Sequence, residues 1–106
     1  MEFHLKVPPE RAVLLLNERI DAIGTIRQNR YGFEYYDVVR WMSETYAAID
    51  AIYAPDDIRP EEIRSIGLLN CSCNDQVKAL MLVELFASRL QDYVSEIRDP
   101  VERPEQ

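Results

Sequence analysis

The sequence predicts an all-α domain, built as an antiparallel bundle of three long helices with one short helix. Apolar residues recur every three or four positions through three long segments, which is the spacing of one buried helix face. Only three glycines occur in 106 residues, too few for the many tight turns of an all-β fold. Hydrophobic residues make up 47% of the chain and charged residues 29%, a globular composition. A single helical domain is therefore expected over residues 9–98.

The first helix is predicted over about residues 9–28, after an extended segment at residues 1–8. Pro8 disfavours helix at the residue before it, whereas Pro9 suits a first helical turn. The apolar face of this helix comprises Val13, Leu16, Ile20 and Ile23. Gly24 interrupts the pattern and weakens a helix by roughly 1 kcal/mol relative to Ala. It therefore marks either a close helix crossing or a frayed end.

The second helix is predicted over about residues 33–53, after a turn at residues 29–32 in which Gly32 is the flexible point. It ends before Pro55, because a proline disfavours helix at the preceding residue. A short helix is predicted over about residues 60–66. Pro60 suits its first position and Gly67 is placed as its C-terminal cap.

The last helix is predicted over about residues 74–98, with Ser72 or Asn74 as its cap; Ser72 with Asp75 fits a capping box. Its buried face is expected to comprise Val77, Leu80, Met81, Leu85, Phe86, Leu90, Tyr93, Val94 and Ile97. The first half is apolar nearly all round, which predicts a central position or an oligomer interface. Residues 99–106 carry two prolines among charges and are expected to be a disordered tail.

The formal net charge is −7, from 19 acidic and 12 basic residues. This charge repels nucleic acid phosphates and anionic membrane surfaces, so neither is expected as a partner. The longest apolar stretches are too short to cross a bilayer, and the N-terminal residues lack a signal-peptide core. The sequence therefore predicts a cytoplasmic protein, in which cysteines stay reduced.

Catalytic chemistry finds little support in the sequence. The only histidine is His4, in the N-terminal segment, so a histidine-based triad is not expected. The adjacent carboxylates at residues 56–57 and 61–62 fall at a turn and at a helix start, where acidic residues are favoured for structural reasons. We expect a protein that is not an enzyme and that needs no cofactor.

Cys71 and Cys73 form the one close pair of soft metal ligands. A closed zinc site needs four ligands, and the chain has no second cysteine pair and only His4. The sequence therefore predicts no metal site within one chain. A dimer that shares two cysteine pairs is the remaining route to such a site.

A cluster of basic and aromatic residues surrounds the first turn of this otherwise acidic chain. Its members are Arg27, Arg30, Tyr31, Tyr35, Tyr36, Arg40 and Trp41. Arginines and stacked rings are what a nucleotide-like anion or a partner peptide would contact. The alternative is that the rings pack the end of the bundle while the arginines stay solvated.

Short motifs of one family pattern run through most of residues 11–98. They are residues 15–20 (LLNERI), Phe33, residues 39–41 (VRW), 44–45 (ET), Ile49, 52–53 (IY), 55–57 (PDD), 62–66 (EIRSI) and 90–97 (LQDYVSEI). They resemble a helical module of prokaryotic proteins of unknown function, which in several of them precedes a TIR-like predicted nucleotide-binding domain. The resemblance implies an accessory or assembly role and transfers no catalytic residue. This sequence ends at Gln106 without such a domain, which leaves open whether it works alone or as a separately encoded subunit.

Three functions are consistent with these observations. The first is a non-catalytic protein-interaction or oligomerisation module, most simply a homodimer, with the link to prokaryotic defence that the resemblance implies. The second is a sensor that binds a nucleotide-like anion through the Arg27–Trp41 cluster. The third is a small acidic inhibitor that docks on a basic partner protein.

Overall fold

A computed structural model of the chain describes residues 4–30, 32–67 and 74–98, which are mostly helical. The helices are α1 (Pro9–Asp21), α2 (Tyr35–Ile52), α3 (Arg59–Arg64) and α4 (Asp75–Arg98). A 3₁₀ turn (Ala22–Thr25) continues α1, and two short strands, β1 (Gln28–Asn29) and β2 (Gly32–Phe33), precede α2. The all-α prediction is confirmed.

The first helix ends earlier than the predicted residue 28. Its α-helical part ends at Asp21, and the chain then forms the 3₁₀ turn, in which Thr25 Oγ1 donates to the carbonyl of Ala22 at 2.7 Å. A Cβ added at Gly24 would meet no atom within 4 Å, so this glycine does not mark a close helix crossing. A helix end at this glycine is the interpretation that agrees with the structure.

The predicted turn at residues 29–32 is part of a hairpin. Gln28 pairs with Phe33 in an antiparallel ladder, and Gly32 has a φ of 124°, a value that residues with a side chain rarely adopt. The hairpin shifts the start of α2 from the predicted Phe33 to Tyr35. Strands of two residues carry no alternating pattern, which is why the pairing could not be predicted from the sequence.

The long helices pack against one another around one core. Helix α1 packs mainly against α4, and α2 packs against α1, α3 and α4. Trp41 contacts Phe86 with 5.7 Å between ring centroids, and Tyr53 contacts Tyr93 at 5.8 Å. Later residues of α2 therefore contact later residues of α4, so these two helices run in the same direction. The predicted antiparallel arrangement does not hold for this pair. Helix α3 lies between α2 and α4 in the chain, so these two long helices are not consecutive and need not be antiparallel.

The core is apolar and draws on all four helices. Its buried members are Ala12, Leu16, Ile26, Val38, Trp41, Ile49, Ile52, Tyr53, Ile63, Ala79, Leu82, Val83, Phe86, Leu90, Tyr93, Val94 and Ile97. The prediction that Val77, Leu80, Met81 and Leu85 are buried is wrong, since each is 38–47% exposed. These four side chains lie outside the buried face of α4, which is formed by residues such as Ala79, Phe86 and Leu90.

The extended N-terminal segment pairs with the end of α2. The backbone N–H of Lys6 donates to the carbonyl of Ile52 at 2.7 Å, and the N–H of Ala54 donates to the carbonyl of His4 at 2.8 Å. The segment satisfies backbone groups at the helix end that have no partner within the helix.

Candidate functional site

The structure brings part of the predicted Arg27–Trp41 cluster together. Arg27, Arg40 and Trp41 line a cleft of about 300 Å³, in which Asp37 and Glu44 also take part. Two carboxylates therefore line the same cleft as the two guanidinium groups. The cleft is balanced in charge rather than cationic, which weakens the case for anion binding.

The guanidinium of Arg27 is bound to a carboxylate. Its Nε lies 2.7 Å from Oδ2 of Asp37 and its Nη2 lies 3.4 Å from Oδ1. This hydrogen bond and the positive charge hold the pKa of Asp37 below its ordinary value. An incoming anion would have to compete with Asp37 for Arg27.

Trp41 is part of the core rather than a stacking surface. Its side chain is 3% exposed, and its indole Nε1 donates to the carbonyl of Arg19 at 3.0 Å. Its ring packs edge to face against Phe86. For Trp41, the alternative that the rings pack the bundle agrees with the structure.

The remaining members of the cluster are dispersed. Tyr35 packs partly against the core, whereas Tyr36 is 79% exposed, and the two rings meet edge to face at 5.7 Å. Arg30 is exposed in the hairpin turn. Tyr31 lies outside the described residues.

A buried ionic network joins three distant parts of the chain. Arg59 Nη1 lies 3.1 Å from Asp57 Oδ1, and Arg59 Nη2 lies 2.9 Å from Glu96 Oε1. The backbone N–H of His4 donates to Asp57 Oδ2 at 2.6 Å. Burial alone would raise the pKa of Asp57, but these bonds, with one from the backbone N–H of Arg59, hold it below its ordinary value.

The network has a structural role. It ties the N-terminal segment to the start of α3 and the end of α4. The sequence placed Asp57 at a turn correctly, but Arg59 was missed as its partner. The sequence did carry one local signal, because an aspartate often accepts a hydrogen bond from the backbone N–H two residues later. Here the backbone N–H of Arg59 donates to Asp57 Oδ1 at 2.9 Å. Glu96, 37 positions further on, carried no such signal.

Metal binding has no support in the described residues, which hold no group of three or more His, Cys, Asp or Glu side chains placed around a common point. Cys71 and Cys73 lie outside the described residues. A site shared between two cysteine pairs stays a prediction from the sequence.

Four of the eight exposed large hydrophobic side chains among the described residues lie on the first half of α4. Val77, Met81 and Leu85 follow one another at four-residue spacing, and Leu80 stands beside them. We name these four residues the α4 apolar row. A cleft of about 260 Å³ adjoins it, lined by Val77, Leu80, Gln28, Gly32, Phe33 and Gln76.

The α4 apolar row would gain stability from a partner that covers it. Complete burial of an aliphatic side chain stabilises by roughly 1.5–3 kcal/mol, and each of these side chains keeps about two fifths of its area exposed. Covering each one would therefore contribute on the order of 1 kcal/mol. Contiguous exposed apolar side chains of this kind mark interaction surfaces.

Among the described helices, none has the length and apolar character needed to cross a bilayer. Comparison of the chain with protein-family models, curated proteins and solved structures found no match. The resemblance to a prokaryotic helical module and the cytoplasmic location therefore stay predictions.

Proposed function

We propose that this chain is a non-catalytic protein-interaction module that docks through the α4 apolar row. The observation that carries the proposal is the 38–47% exposure of four large apolar side chains on one helix. The opposite face of that helix is buried in the core, through residues such as Ala79, Phe86 and Leu90. A helix held on one side and apolar on the other is suited to present a fixed docking surface.

The rest of the bundle serves as the support of α4. Ring contacts with Trp41 and Tyr53 hold its middle and its end. Val13 of α1 and Ile97 of α4 line a common groove of about 490 Å³, which favours an antiparallel packing of α1 on α4. The segment that carries the row is itself anchored in the core through Ala79, Leu82 and Val83, so docking does not require α4 to become ordered first.

The alternative of a sensor for nucleotide-like anions has less support. Asp37 already occupies Arg27, Glu44 adds a second carboxylate to the same cleft, and Trp41 is buried. For an acidic inhibitor, the net charge of −7 is the supporting feature.

Site-specific photo-crosslinking tests the proposal. The photoreactive residue p-benzoylphenylalanine replaces Met81 in the chain expressed in its native host, and irradiation is followed by detection of higher-mass adducts. We expect a discrete protein adduct from position 81, because a docked partner lies within contact distance of the row.

Ser95 provides the matched control position. It is exposed on the same helix but lies ten residues beyond Leu85, about 15 Å along the axis. The same photoreactive residue there should give no adduct. Equal labelling from positions 81 and 95, or no adduct from position 81, would overturn the proposal.

A further inference from the structure

We draw no further inference here: the strongest candidate, the exposed apolar face that Val77, Leu80, Met81 and Leu85 form on the first half of α4, belongs to the surface already described, and nothing in the structure shows what covers it.

Discussion

At the scale of single residues, Tyr53 and Tyr93 show how two similar buried rings differ in the use of their hydroxyls. The hydroxyl of Tyr93 donates to Glu62 Oε1 at 2.7 Å. The hydroxyl of Tyr53 is buried and has no partner among the described residues. Burial raises the pKa of both phenols, so both stay protonated at neutral pH.

Removing each hydroxyl should therefore have opposite consequences for stability. Tyr93→Phe is expected to lower the free energy of unfolding by about 1 kcal/mol, because Glu62 loses a hydrogen bond. Tyr53→Phe should leave it unchanged or raise it by up to about 1 kcal/mol, because an unsatisfied polar atom disappears from the core. Urea unfolding of both variants measures the difference, and a larger loss for Tyr53→Phe than for Tyr93→Phe would contradict the assigned roles of the two hydroxyls.

At the scale of elements, two glycines between α1 and α2 make different demands on the backbone. Gly24 lies in the 3₁₀ turn, where a Cβ would have open space around it, and its φ lies in the ordinary range. Gly32 has a φ of 124° in the hairpin. Replacing each glycine with alanine therefore separates two effects on stability, the entropy of the unfolded backbone and the strain of the folded one.

Gly24→Ala should raise the free energy of unfolding by about 0.5 kcal/mol, because it restricts the unfolded chain without a clash. Gly32→Ala should lower it by about 1–2 kcal/mol, because a side chain is strained at this φ. Thermal unfolding of the two variants provides the check. A loss of stability in Gly24→Ala would show that the 3₁₀ turn does not accept a Cβ at this position.

Helix α4 allows a comparison of its two faces with one type of side chain. Leu90 is fully buried, whereas Leu80 is 47% exposed. Leu90→Ala should cost about 3 kcal/mol through lost burial and a cavity. Leu80→Ala should cost less than about 1 kcal/mol at concentrations where the chain is a monomer. Urea unfolding at low micromolar concentration tests both values, and equal losses would mean that Leu80 is buried within the monomer.

At the scale of the whole molecule, the buried network of Asp57, Arg59 and Glu96 makes the stability of the fold depend on pH in the acid range. Because the pKa of Asp57 is lower in the folded chain than its ordinary value of 3.8, its ionised form favours folding. This contribution is fully present above about pH 4, near the unfolded pKa, and it is lost as the pH falls through the folded pKa. The N-terminal segment, α3 and α4 should therefore loosen together in acid.

Asp57→Asn tests this linkage. The variant should lose about 2 kcal/mol of stability at pH 7, where a charged hydrogen-bond acceptor becomes neutral, and should depend less on pH below 4 than the unaltered chain. Asp37→Asn is the control. Its partner Arg27 is largely exposed and solvent screens this ion pair, so losing the pair should lower the free energy of unfolding by less than Asp57→Asn does. Urea unfolding between pH 3 and 7, followed by the fluorescence of Trp41, measures both variants. Parallel pH curves for Asp57→Asn and the unaltered chain would refute the assignment.

The candidate sites show where prediction from the sequence failed. The Arg27–Trp41 cluster groups residues that are close in the chain, but Trp41 faces the core and Arg27 is bound to Asp37. The sequence does indicate the apolar character of α4, with an oligomer interface as one interpretation. Which of its residues stay exposed could not be predicted from a segment that is apolar nearly all round.

The helices could be predicted from the sequence, because helical periodicity, prolines and caps act within a few residues. Asn74, for example, accepts the N–H of Val77 at 2.9 Å, as a cap at that position should. Only the tertiary structure shows which face of α4 is buried. It also shows that Arg59 donates a hydrogen bond to Glu96, which lies 37 positions later in the chain. These contacts depend on the relative placement of whole helices, which no local pattern encodes. The α4 apolar row exists because α1 and α2 together cover only one side of a helix that is apolar on both.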